Sequence, residues 1–229
     1  MIRALVALLS LFMVMSCGEV VTESTKDARI LMMGDSMMAA NRTAGRSVGA
    51  MLERKMGEPV IDRSVYAARI IYNLPLTGAA GLSIPAQYQQ GNWDWVVLNG
   101  GGNDLIFGCA CGRCDGMVDR LISKDATTGR IPELVQRLRK SGARVVWSGY
   151  LRNPGLFTPV RPCRVFGDEL DRRLARLDAR DPGMIFVPMS DLVPEGDPSL
   201  HQQDLVHPSP KGSAAIAARI SAAIRAAER

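Results

Sequence analysis

From Ala28 the chain reads Ala-Arg-Ile-Leu-Met-Met, and after Arg29 no polar residue interrupts the run before Gly34. A strand that is apolar at every position, rather than at alternate ones, is buried on both faces, as strands of a parallel sheet are. Four further short runs are largely apolar: Pro59 to Asp62, Trp93 to Leu98 with Asp94 inside it, Ala143 to Trp147 with Arg144 inside it, and Met184 to Val187. Between them apolar residues recur at helical spacing. Val48, Met51, Leu52 and Met56 form one such face, Leu134, Val135 and Leu138 a second, and Phe166, Leu170, Leu174 and Leu177 a third. Ser209-Pro210 supplies an N-cap and a first-turn proline for a last helix striped by Ile216, Ile220 and Ile224. Gly57 and Gly142 mark helix ends. Short apolar strands alternating with helices predict an α/β fold, a three-layer α/β/α sandwich with a five-stranded parallel sheet. The helices are expected over residues 132–140 and 166–180. Residues 64–92, punctuated by glycine and proline, are expected to hold loops and short helices. Residues 105–129 read as an insertion beside the sheet edge.

Ligands of such sheets bind beyond the carboxyl ends of the strands. Ser36 follows the first strand and Asn103 the third, so the fold alone puts both on one rim. The length of 229 residues suits one domain with a substantial core, expected over 28–229. Hydrophobic residues make up 47% and charged residues 22%, as in ordinary globular chains. The formal net charge is +5. Its basic residues, among them Arg42, Arg46, Arg54, Lys55, Arg172 and Arg173, are scattered among acids at helical spacing and read as solvated helix surface. Aromatic residues are only 5%, so the interleaved basic and aromatic stripe of a nucleic-acid groove is missing and no nucleic-acid partner is expected.

The first residues read as a secretory signal. Met1-Ile2-Arg3 gives a positive start and Ala4 to Met15 an uncharged apolar run. The run is shorter than the roughly 20 residues of a membrane-spanning helix. Val14-Met15-Ser16-Cys17 resembles the lipobox of bacterial lipoproteins, although Met15 is not the usual small residue. The expectation is a signal over 1–16, a lipid on Cys17 and a polar tether over 17–27, with plain cleavage as the alternative. Removal of residues 1–16 takes away only Arg3, so the net charge falls from +5 to +4. The expected location is the periplasm or the outer membrane, or secretion.

Only two histidines, His201 and His207, offer an imidazole base. Asp204 lies three residues before His207, close enough to orient its ring. Ser36, after a buried strand and at the start of a helix, reads either as an N-cap or as a nucleophile; a serine hydroxyl needs a base to become one. The Asn103 side chain and the Ser36 backbone N–H could donate to a developing oxyanion.

Three blocks in order then carry a resemblance: Gly34-Asp35-Ser36-Met37, Gly101-Gly102-Asn103-Asp104 and Asp204-Leu205-Val206-His207. Together they resemble the SGNH hydrolase superfamily of GDS-type esterases and lipases, described as flavodoxin-like α/β/α domains, over nearly all of 28–228. The resemblance implies Ser36 as nucleophile, His207 as base and then acid, Asp204 as its orienting carboxylate, and Asn103 with the Ser36 N–H as oxyanion donors. Gly34, Asp35, Gly102 and Asp104 support these. A third donor is expected from a glycine where this chain has Ala67, and Asp62 stands where asparagine is common. A backbone donor survives that exchange at negative φ and is strained at positive φ. The implied reaction is ester hydrolysis through an acyl-enzyme, without metal or organic cofactor.

The substrate class stays open. A small acyl group on an envelope or external carbohydrate is one reading. Phospholipid, lysophospholipid and thioester cleavage are others, with Met37, Met38, Leu74 and Leu76 either lining an acyl pocket or forming core. A catalytically silent, lipid-anchored binding protein is the non-enzymatic alternative, although none of the expected side chains is missing. A flavodoxin-type cofactor binder would want a phosphate-cradling first loop, which Gly34 to Met38 does not provide. A monomer is expected.

Cys109, Cys111, Cys114 and Cys163 make an even set in an exported chain and suggest disulfides. A Cys109–Cys111 bridge is disfavoured because one residue separates them. Cys163 is therefore expected to join Cys109 or Cys111, with Cys114 taking the other. Four thiolates around a metal are the rival reading.

Overall fold

The computed structural model describes residues 28–229. The expected signal, Cys17 and the tether lie outside them. Five strands form one parallel sheet: β1 (Ile30–Met33), β2 (Val60–Asp62), β3 (Trp95–Leu98), β4 (Arg144–Ser148) and β5 (Met184–Val187). The order across the sheet is β2-β1-β3-β4-β5. Ile30 pairs with Val60 on one side and Trp95 on the other, and Trp147 sits between Leu98 and Phe186.

Side chains alternate across the sheet. Leu31, Met33, Val96, Leu98, Val145 and Trp147 pack on one face under α5 (Arg130–Lys140) and α6 (Arg164–Asp178), through Leu134, Leu138, Leu170 and Leu174. Ile30, Met32, Trp95, Val97 and Val146 pack on the other, under α2 (Val48–Met56) and α7 (Pro210–Ala227), through Val48, Leu52, Ile216, Ile220 and Ile224. The expected three layers and five parallel strands are present. Ser209 caps α7 by accepting from Gly212 N at 3.1 Å, and Gly142 follows α5 at φ +94°.

Boundaries differ at several ends. Helix α5 starts at Arg130 rather than 132, because Pro132 falls in the first turn, where its missing N–H is not needed. Helix α6 runs Arg164–Asp178 rather than 166–180, since Asp181 precedes Pro182 and is biased out of the helical region. Residues 64–92 hold only helical turns, at Pro75–Thr77, Gly78–Leu82 and Ile84–Gln87. The cysteine segment follows β3, the central strand, and so does not lie at a sheet edge. It contains the end of α3 (Gly102–Cys109) and all of α4 (Asp115–Leu121). Leu105, Cys114 and Val118 make a small core of their own there, against Cys163 and Phe166.

Of the basic residues named above as solvated helix surface, Arg173 is not on a solvated face. Arg173 is buried, and its guanidinium pairs with Glu169 and Asp119 at 2.6 Å each, fastening α4 to α6. No helix among the described residues is long and apolar enough to cross a membrane.

Candidate active site

The strand order changes direction between β1 and β3, and at such a point the loops part to leave a crevice. Ser36 is the first residue of α1 (Ser36–Ala39), directly beyond β1, and Asn103 lies in the first turn of α3, beyond β3. Both line one cavity of about 170 Å³, and so does His207.

The turn before Ser36 is fixed from several sides. Gly34 has φ +144°, and a Cβ there would meet Asn99 Oδ1 at 2.0 Å, so the position admits only glycine. Gln87 clasps the same residue, accepting from Gly34 N at 2.7 Å and donating to Gly34 O at 2.9 Å. Asp35 caps α1 by accepting from Met37 N at 2.9 Å. Met38 N and Ala39 N reach the Asp35 carbonyl. The Ser36 N–H is the first-turn donor left open, as the first N–H of a helix is, and it sits beside the Ser36 hydroxyl.

Asp35 is fully buried and does more than cap. It accepts from Asn99 Nδ2 at 2.8 Å and from Tyr150 OH at 2.5 Å. Burial pushes its carboxyl up, against the donations of Tyr150, Asn99 and Met37 and the nearby His207. Tyr150 OH in turn accepts from Gly102 N at 3.1 Å. Burial and the Asp35 carboxylate hold the Tyr150 phenol well above its ordinary range. A Cβ on Gly102 would meet the Tyr150 ring at 2.8 Å, which explains the small residue there. Tyr150 thus ties the loops after β1, β3 and β4 together. Asp104 faces the other way: its carboxylate accepts from Ile70 N at 3.0 Å and Ile71 N at 2.8 Å. Burial pushes it up to about 6, against those two bonds.

Asn103 Nδ2 donates to Ala68 O at 3.0 Å, which sets the plane of the amide and leaves its second hydrogen free to donate. Ala67 adjoins that carbonyl, exposed and at φ +61°. The site therefore asks alanine for the left-handed conformation that glycine adopts freely. Replacing Ala67 by glycine is expected to raise stability by about 0.5–1 kcal/mol. Relief of the left-handed strain exceeds the greater unfolded-state freedom of glycine. Urea midpoints of the two proteins measure the difference, and a less stable A67G would refute the strain.

His207 sits at the end of a tight turn. Asp204 Oδ1 accepts from Val206 N and His207 N at 2.9 Å each, and Asp204 Oδ2 lies 2.5 Å from His207 Nδ1. Leu205, between them, has φ +55°. Partial burial opposes ionisation of Asp204, but the His207 ring and the two N–H bonds outweigh it and hold the carboxyl below its ordinary range. A carboxylate on Nδ1 keeps the proton there and leaves Nε2 as the acceptor. The Tyr66 ring packs against His207 with centroids 5.4 Å apart. No direct hydrogen bond joins the ring to the Ser36 hydroxyl in this conformation; the ring is bonded to Asp204. His201 is buried and bridged to Pro208, away from the cavity.

Cys109 pairs with Cys114 and Cys111 with Cys163. The second bridge ties the turn after α3 to the start of α6, and Cys163 itself lines the cavity. Paired in this way, the four cysteines offer no thiolate to a metal. Of the proposed acyl-pocket residues only Met37 lines the cavity. Met38 is core, and Leu74 and Leu76 are exposed.

The sequence blocks hold Ser36, Asn103, Asp204 and His207 with the supports Gly34, Asp35, Gly102 and Asp104, but not the more distant supports. Asn99, Gln87 and Tyr150 belong to no spacing pattern, and only polar residues inside otherwise apolar surroundings hint at them.

Residues 32–215 match the GDSL-like Lipase/Acylhydrolase family. The chain belongs to this family. It is a hydrolase of the SGNH type. Solved structures share the fold. TesA aligns with a TM-score of 0.61 at 19% identity, over 86% of this chain and 98% of that one. A GDSL-like lipase from Bacteroides thetaiotaomicron gives 0.57 at 19%, over 90% and 91%. A family 2 carbohydrate esterase with a carbohydrate-binding domain, from Corynascus thermopiles (Myceliophthora fergusii), gives 0.55 at 18%, over 91% and 68%. No curated protein matches the chain in sequence.

Proposed function

We propose that this GDSL-family hydrolase cleaves carboxylic esters of small acyl groups through a covalent acyl-enzyme on Ser36. The observation that carries the reading is the meeting of Ser36, Asn103 and the Asp204-paired His207 around one small cavity. The Ser36 hydroxyl gives its proton to His207 Nε2 as the oxygen attacks the acyl carbonyl. Asp204 stabilises the imidazolium that forms. The oxyanion of the tetrahedral intermediate receives the open Ser36 N–H, the free Asn103 Nδ2 hydrogen and the Ala67 N–H. His207 returns the proton to the departing alkoxide, and the alcohol leaves. Water, deprotonated by the same ring, then releases the acid and restores Ser36.

The cavity of about 170 Å³ is below the roughly 300–1,000 Å³ of sites for drug-sized ligands, which favours short acyl groups over long chains. Leu74 and Leu76, exposed and off the cavity, give no wall for a long acyl chain. We propose too that a signal over 1–16 exports the protein and that Cys17 carries a lipid anchor, with plain cleavage as the alternative, on the apolar run Ala4 to Met15 and the Ser16-Cys17 junction.

A fluorophosphonate, which mimics the tetrahedral intermediate, tests the reading. One adduct per chain, mapped to Ser36 by peptide mass, is the expected result. An intact protein left unlabelled, or labelled on another residue, would remove Ser36 from its role.

A further inference from the structure

Helix α3 carries Asn103 in its first turn and begins without a cap of its own. Gly101, at φ +104°, stands at the capping position and has no side chain to accept from the first N–H groups. The first of them, Gly102 N, donates instead to the Tyr150 hydroxyl at 3.1 Å. That hydroxyl donates in turn to Asp35 Oδ2 at 2.5 Å. Gly102 immediately precedes Asn103, and Asp35 immediately precedes Ser36. A single oxygen atom thus joins the residues before the nucleophile and before the oxyanion amide of the proposed reaction.

Asn99 also reaches Asp35, accepting from Asp35 N at 3.0 Å and donating to Oδ1 at 2.8 Å. It stands past the end of β3, with Gly100 and Gly101 between it and α3. Its side chain therefore places Asp35 and makes no bond to the start of α3. Tyr150 makes both bonds, and it is held from a third side. Its carbonyl accepts from Arg152 Nη1 at 3.1 Å, and the same guanidinium is paired with Asp168 at 2.8 Å and Asp171 at 2.7 Å on α6. Gly149 N, just before it, donates to Val187 O at 2.9 Å. The phenol is therefore a strut, anchored on β5 and α6, between two loops that it does not belong to.

Oxyanion donors act by being in place before the charge develops, and a misplacement of about 1 Å can cost roughly 100-fold. The Ser36 N–H and the Asn103 amide come from different loops and must converge on one oxygen. We propose that Tyr150 is a positioning residue, whose hydroxyl sets Asn103 against Ser36 so that their donors meet at the oxyanion. The inference rests on Ser36 as the nucleophile and Asn103 as an oxyanion donor.

Y150F keeps the ring and removes the bridging oxygen. Its kcat on p-nitrophenyl acetate is expected to fall by about tenfold to a hundredfold, with KM within about threefold of wild type. Acylation and deacylation pass through the same kind of oxyanion, so either limiting step reports the loss. A hydroxyl that only stabilises the fold would lower the urea midpoint and leave kcat where it was. The cycle with N103A reads the positioning itself. Once the Asn103 amide is gone there is little left to align, and adding Y150F is expected to cost no more than about threefold.

D35N approaches the same bridge from its other end. Met37 N and Asn99 Nδ2 both donate to Asp35 Oδ1, so the amide oxygen keeps that place and the N–H₂ faces Tyr150. A hydroxyl oxygen has two lone pairs and can accept from this amide and from Gly102 N together. The bridge then survives with one bond reversed. Burial already opposes the Asp35 charge, so D35N is expected to fold and to keep kcat within about tenfold of wild type. An unchanged kcat in folded Y150F, losses that multiply in full in the cycle, or a D35N loss beyond tenfold would overturn the role. D35N decides alone if Y150F does not fold. N103A turning over as the wild type does would instead overturn the oxyanion reading on which the role rests, and full turnover by S36A the nucleophile.

Discussion

S36A is expected to lose ester hydrolysis by about 10⁴- to 10⁶-fold while keeping its fold. The size follows from the division of labour in serine hydrolysis. Without a nucleophile, oxyanion donors and substrate binding alone retain only about 10³–10⁴ over the uncatalysed rate. The fold should survive because the Ser36 side chain bears no structural duty. Asp35, not Ser36, caps α1, and the turn is held by Gln87, Asn99 and Tyr150. Alanine at the first position of a helix is also well tolerated. Initial rates on p-nitrophenyl acetate, beside a urea unfolding curve, make the measurement. A folded S36A that turns over as the wild type does would end the assignment.

That separation between reacting and supporting residues also explains what the chain disclosed in its sequence. Strands buried on both faces leave continuous apolar runs, so β1, β3 and β4 were visible, and with them the rim that holds Ser36 and Asn103. The caps of α7 and the end of α5 are local chemistry and were equally plain. The supports are not local. Tyr150 reaches Asp35 across 115 positions of sequence and Gln87 reaches Gly34 across 53. Each is a polar residue whose partner is fixed only when the sheet brings two loops together. No periodicity records such a pairing.

The misplaced parts have physical reasons of the same kind. Arg173 reads as surface because its spacing is helical and its neighbours are charged. Yet α4 packs over α6 and encloses the guanidinium between Asp119 and Glu169. The cysteine segment reads as lying beside an edge, but the order of strands is a property of the whole sheet and places it beyond the central strand. Ala67 is the instructive case. Its identity left two outcomes, and the sign of φ, which depends on how the chain turns beyond β2, chose the strained one.

H207A is expected to lower kcat by about 10³- to 10⁵-fold, and D204N by less, about 10²- to 10³-fold. No other imidazole can replace His207, since His201 is buried off the cavity, with its proton affinity lowered by that burial. D204N keeps one of the two functions of Asp204. Its remaining carbonyl oxygen can still accept from Val206 N and His207 N, so the turn that carries the ring persists. What fails is the pairing with Nδ1. The amide presents N–H₂ where the ring needs an acceptor, which favours the tautomer with Nε2 protonated and unable to take the serine proton. The loss is smaller than in H207A because Asp204 is half exposed, and water can partly restore the acceptor. The two variants should therefore differ in kind as well as in size. D204N retains a ring that can still take the serine proton from its less favoured tautomer, whereas H207A retains no imidazole at this place. Values of kcat and kcat/KM on one aryl acetate separate them. H207A activity within tenfold of wild type, or a D204N loss larger than that of H207A, would show that Ser36 is activated by a group other than this pair.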